Sequence, residues 1–280
     1  MRNKNLLIRI VMCMFAWLFC LQPSSAADTW SYPKAEPDHN LGGGNGYINN
    51  PYLIKTAQQL ADFAWLVNHG YSFDDRHVAL VADINLNDIT FDENDKPTNL
   101  GSLKAWTNIG DYNFWGNDYF SGYFDGRGHT ISGLYIDTAS DTYTGLFGCV
   151  IGIVRNVNIK DSYMSGKKVN DASGFLVGYM AHSLISNCHI SNSHIDITTD
   201  GSTNIGGIAG QGSGDGKTVE SSTFSGTIKV HHESGTVFVA GIMGLGAPTL
   251  NNCRVDGQMT LSSVNSGSTD EVYANGLCYE

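Results

Sequence analysis

Asp196 and Lys229 fall at matching places in neighbouring repeats of this chain, which would set a carboxylate beside an ammonium as cross-strand neighbours. General acid or base catalysis needs further carboxylates or basic groups around such a pair, and the outward column Ser165, Asp196, Lys229, Thr260 offers none. A surface ion pair is the expected role. The acidic run Asp88, Asp92, Glu93 and Asp95 supplies oxygens of the kind calcium wants, but it lacks the D-x-[DN]-x-[DN]-G order, so a solvated loop is expected. His129 beside the Asp125-Gly126 turn reads as packing. No residue pattern calls for a cofactor or a metal.

Recognition is the other chemistry these residues could perform. Aromatic side chains crowd the stretch from Trp106 to Tyr143, and such rings stack on sugar faces or anchor protein contacts. Trp106, Trp115, Tyr119 and Tyr123 are the candidate binding surface, centred on Trp115, while closure of a core is the competing role of the same rings.

A scaffold for these residues is legible from internal repetition. Gly145-Leu-Phe-Gly148, Gly174-Phe-Leu-Val-Gly178, Gly206-Gly-Ile-Ala-Gly210 and Ala240-Gly-Ile-Met-Gly244 recur, their closing glycines spaced by 30, 32 and 34 residues. A period of that size marks a solenoid whose coils share one core. Aligned repeats predict three short strands per coil, with Val157, Cys188, Ser222, Cys253 and then Ile159, Ile190, Phe224, Val255 pointing inward. Asn156, Asn187, Ser221 and Asn252 share a column where the inward pattern slips, as expected of a left-handed corner with a ladder of stacked amides. Gly148, Gly178, Gly210 and Gly244 are expected to permit tight corners. The fold expected is all-β, a right-handed parallel β-helix.

Upstream, Thr56-Ala-Gln-Gln59 has the capping-box pattern, and Leu60, Phe63, Ala64 and Val67 follow at helical spacing before Gly70. A helix over 57–69 is well placed to cover the first coil. Residues 51–144 are read as this cap plus the first coils, and 145–280 as the repeats, the last beginning at Ala274-Asn-Gly-Leu-Cys278 without finishing. An uncovered last coil would expose strand edges, so a partner chain over that end, or a shortened sequence, is expected.

Arg2, Lys4 and Arg9, an apolar run Ile10 to Leu21, and small residues up to Ala27 read as a cleaved secretory signal peptide over 1–27. Residues 28–50, rich in Gly and Asn, read as a flexible leader. No later segment is apolar for long enough to span a bilayer. Removing the leader moves the formal charge from −11 to −14, with 13 basic against 27 acidic side chains, which disfavours nucleic acid as a partner. Cys188 and Cys253, two coils apart, would be about 9.6 Å from each other, too far for a disulfide. Pairings with Cys149 or Cys278, or four free thiols, all fit the sequence.

The glycine phrases resemble GLUG motifs. The preceding Pro51-Tyr-Leu-Ile-Lys-Thr-Ala-Gln-Gln-Leu60, Asp83-Ile-Asn-Leu86, Trp106-Thr-Asn-Ile-Gly110 and Phe120 to Leu134 are similar to what precedes those motifs in secreted bacterial proteins, over about residues 40 to 278. The resemblance implies a β-helical region of an exported or surface protein, adhesin-like and of the Bacteroidetes kind, found also outside the catalytic domain of IgA-cleaving metallopeptidases. Such a peptidase needs His-Glu-x-x-His to hold zinc. Here His232-Glu233 is followed by Ser234, Gly235 and Thr236, so no catalytic residue carries over. The expected function is adhesion or scaffolding without a catalytic site, toward a host glycan or host protein. A glycan-active β-helix enzyme and an accessory part of a larger surface protein are the alternatives.

Overall fold

One residue per coil, taken along a single inward column, shows how the chain is wound. Tyr52, Val78, Phe124, Val154, Ile185, Val219 and Leu250 are register partners in a parallel sheet of seven strands. The five inner members are fully buried, because alternate residues of a strand face the same side and each coil lays its apolar side chain on the one before. The computed structural model describes residues 26–111, 118–138, 143–168, 171–263 and 271–278. Over these the chain is a parallel β-solenoid with one helix near its N-terminal end. The signal-peptide reading falls almost entirely on residues outside the described ones.

Each full coil has more strands than the three expected. In the coil from 171 to 200 they are Asp171–Gly174, Val177–Ala181, Leu184–Ser186 and His189–Asp200, one in each of four sheets. The difference lies in the glycine phrases, which are extended backbone around a corner rather than corner alone. Leu146, Leu176, Ile208 and Ile242 fill the inside of that corner and are buried. Gly148, Gly178, Gly210 and Gly244 are in register within the next strands. A Cβ on them would lie 2.2 Å from the Gly110 carbonyl oxygen, 2.5 Å from Thr144 N, 2.4 Å from Ser173 N and 2.5 Å from Ile205 N, respectively. Close approach of neighbouring backbone, not left-handed geometry, demands glycine there.

The asparagine column does need left-handed geometry. Asn156, Asn187, Ser221 and Asn252 have φ of 56°, 53°, 48° and 52°. Asn187 Nδ2 donates to Asn156 Oδ1 at 2.8 Å, and Asn156 Nδ2 donates to Asp125 Oδ1 at 2.9 Å. Ser221 interrupts the amide ladder before Asn252.

Helix α1 spans Ala57–Val67. Thr56 Oγ1 accepts from Gln59 N, and the Gln59 side chain accepts from Lys55 N at 2.8 Å, one residue before the partner a capping box uses. At the other end Tyr71 N donates to Leu66 O and Gly70 N to Val67 O, both at 3.1 Å, with Gly70 at φ 92°. This is a Schellman termination, and it sets Tyr71 beside Leu66. Phe63 packs on Phe73, Phe120 and Phe124, closing the first coil.

Residues 28–50, expected to be flexible, are built into this cap. Trp30 is buried against Trp106 at a ring distance of 5.5 Å, and its Nε1 donates to Leu86 O. Ser31 exchanges two hydrogen bonds with the Gln58 side chain. One large aromatic outweighs the loop-like composition around it. Cys149, Cys188 and Cys253 carry free thiols, and burial pushes those of Cys149 and Cys188 up to about 12. Among the described residues no helix is long and apolar enough to cross a membrane.

Candidate functional site

Two places on this scaffold gather side chains able to act on a ligand. The first is on the wall formed by Tyr163–Lys168, His189–Asp200, Thr223–Ser234 and Arg254–Ser263. Asp196 and Lys229 are register partners there. Their ion pairs nevertheless run elsewhere, contrary to expectation, because the acidic loop is folded down onto the wall. Asp196 meets Lys96 at 3.3 Å and His231 at 3.1 Å, while Lys229 meets Asp95 at 3.5 Å and the Asn94 carbonyl at 2.5 Å.

The loop is held in shape by Asp92, whose carboxylate accepts from Asn94 N and Lys96 N, and these bonds keep it below the usual carboxylate range. Phe91 then lies 4.6 Å from the His194 ring. Asp95 approaches His194 Nδ1 at 3.8 Å and accepts from the Thr227 hydroxyl at 3.3 Å. The solvated loop expected from its charge is therefore a docked one. These opposite charges lie within ion-pair reach of one another and hold the loop on the wall. An open groove of about 660 Å³ adjoins it, lined by Asp95, His194, Asn192, Asp256 and Gln258 among others.

The second place is the cap. A concavity of about 380 Å³ is lined by His39, Tyr52, Leu66, Tyr71, Phe73, Asp74 and Arg76, with Gly70 and Ser72. Tyr71 Oη donates to Glu36 Oε1 at 2.9 Å, and His39 Nε2 meets the same oxygen at 2.6 Å. The His39 and Tyr71 rings touch edge to face at 4.4 Å. Bonding to His39 first, and to Tyr71, lowers the Glu36 carboxyl. Arg76 lies over the Tyr47 ring at 5.0 Å. The next residue, His77, stacks on Tyr123 at 4.4 Å and 9°. His77, Tyr123 and Ile48 line a narrow groove that also touches Arg127 and Arg155. Tyr47 at 60%, Ile48 at 72%, Tyr71 at 40% and Tyr123 at 37% exposure thus gather around Arg76 and His77.

The aromatic residues chosen from sequence part company here. Trp106 is buried, its Nε1 donating to Leu146 O at 3.1 Å, so it is a core residue and presents no binding face. Tyr119 is half-buried and Tyr123 exposed. Trp115 lies outside the described residues. His129 Nδ1 meets Asp83 Oδ1 at 3.0 Å beside its turn. His232 is buried, bonded to the Thr199 hydroxyl and the Gly235 carbonyl, while Glu233 pairs with Lys167 at 2.7 Å. Sequence reading gave His39, Tyr52, Tyr71, Phe73 and Arg76 no place in a site. The available signal was Gly70 at the helix end, which fixes where Tyr71 must point.

No protein-family model matches the chain. It is 32% identical over 140 residues to the "Putative Gly-rich membrane protein" of Evansella cellulosilytica, a stretch covering 49% of this chain and 14% of that protein. It is 29% identical over 175 residues to the halomucin of Haloquadratum walsbyi, covering 62% of this chain and 2% of that protein. The chain therefore spans only a small part of the relatives it matches. Among solved structures, a "putative immunoglobulin A1 protease" from Bacteroides ovatus aligns with 89% of this chain and 90% of its own at a TM-score of 0.42 and 20% identity.

Proposed function

We propose that this chain is a binding and scaffolding module of an exported surface protein, with no catalytic site of its own, related to GLUG-type repeat regions. The observation that carries the reading is the gathering of Tyr47, Ile48, Tyr71 and Tyr123 around Arg76 and His77, on a solenoid whose other large apolar side chains are mostly buried. Exposed aromatics grouped with a guanidinium are how recognition surfaces are built. Relatives named a membrane protein and a halomucin support a surface location. The basic, apolar and small-residue succession up to Ala27 supports export by a cleaved leader. Probing glycan and host-protein arrays with the purified chain tests the reading: a ligand whose signal falls in a His77→Ala/Tyr123→Ala variant supports it, and silence on both arrays removes it.

A glycan-active enzyme is the second reading, favoured by the 660 Å³ groove whose lining includes Asp95, Asp256 and His194. Release of reducing ends or unsaturated products from a polysaccharide panel, lost in Asp95→Asn, would replace the first reading with this one.

A further inference from the structure

We infer that the 380 Å³ concavity between the helix end and the 28–50 segment is a binding site for a neutral saccharide unit. The inference deepens the binding reading and rests on it. Its volume is that of a small-ligand site, whereas a protein partner would need a far broader contact.

The lining has the two kinds of surface a sugar ring presents. Leu66, Tyr52 and Phe73 give an apolar side, Leu66 buried and the two rings half-buried. Tyr71, 40% exposed, adds an aromatic ring at the mouth. Asp74 and Arg76 supply acceptor and donor groups able to take hydroxyls in pairs. The ring faces of a sugar are C–H surfaces that pack on aromatic side chains, and its hydroxyls suit planar polar groups.

Charge argues for a neutral ligand. Asp74 and Arg76 both line the concavity and carry opposite charges, so neither sign dominates its lining. The site is also preformed: the Schellman turn fixes Tyr71, and its Oη bond to Glu36 ties it to the segment holding His39. Phe73 at φ 58° and Asp75 at φ 52° hold the loop in backbone states that non-glycine residues seldom adopt.

The test is calorimetric titration of the purified full chain with glucose, galactose, mannose and N-acetylglucosamine, and with glucuronate as the charged counterpart. Saturable binding of at least one neutral sugar, stronger than that of glucuronate, is expected. Tyr71→Ala should weaken it at least about tenfold, and Tyr71→Phe should stay within about threefold. Asp74→Asn, at an exposed position, should also weaken it. No neutral-sugar binding, or unchanged affinity in Tyr71→Ala and Asp74→Asn with wild-type melting, overturns the assignment. An array ligand lost in Tyr123→Ala but kept in Tyr71→Ala also overturns the pocket while sparing the wider reading; arrays silent for every form overturn both.

Discussion

The inward column that begins at Tyr52 and ends at Leu250 meets different surroundings at its two ends. On the first coil helix α1 lays Leu60, Phe63, Ala64 and Val67, all fully buried, and Trp30 and Trp106 close the side. On the last described coil Leu250, Cys253, Val255, Met259 and Leu261 are only partly covered, although their counterparts one coil earlier are buried. The strands Thr249–Asn251 and Arg254–Ser263 have a parallel partner on one side. The same inward column runs through both regions, so the difference in burial between them follows from what is packed on each end of it.

Truncation of a core side chain should expose that difference most. Phe63→Ala is expected to cost about 3–5 kcal/mol, since it empties the centre of the Phe73, Phe120 and Phe124 cluster. Val255→Ala, at a partly buried position of the last described coil, should cost about 1 kcal/mol or less. Urea melts of the two variants check this, and equal losses would show that the last coil is as firmly held as the first.

Glycine substitutions follow. Gly148→Ala places a methyl 2.2 Å from the Gly110 carbonyl and is expected to cost about 3 kcal/mol, whereas Gly276→Ala meets nothing within 4 Å and should be near neutral. Asn156→Ala should lose about 2 kcal/mol, from left-handed strain together with its bonds to Asp125 and Asn187. Asn252→Ala, past the break at Ser221, should lose about half of that. Thermal melts of the four variants give the order, and a Gly276 or Asn252 effect matching its partner would contradict it.

What sequence made legible follows from where information is local. The Thr56 cap rests on residues close together in the chain, and the glycine phrases and the Asn corner recur at a fixed period, so coil stacking and the capping helix could be derived. The extended state of the glycine phrases was not, because their demand comes from backbone a whole coil away, as Gly148 against Gly110 shows. The candidate sites depend on contacts of longer range still. Asp95 reaches Thr227 across 132 positions, and Glu36 reaches Tyr71 across 35, so composition alone made one segment a solvated loop and the other a flexible leader. Trp106 failed as a binding residue for the same reason: its covering partner, Trp30, lies in that leader.

The smallest expected effect concerns the docked loop, which covers part of the wall that carries His194. Burial holds His194 below the ordinary imidazole range against the pull of Asp95 and Asp161, Lys229 acting in the same direction as burial. In the unfolded chain this histidine takes its proton near pH ~6.5. The folded state resists protonation, so the unfolded state binds more protons as pH falls through that value. Its contribution is therefore complete above pH ~6.5 and declines on acidification toward the lower folded value. His194→Asn removes the titrating group while keeping a polar side chain beside Thr227 and Phe91. Between pH 7.5 and 5.5 the wild type should lose about 2 °C more in melting temperature than this variant. Identical pH profiles would mean that Asp95 compensates the imidazolium fully, and that the loop stays docked whatever its charge state.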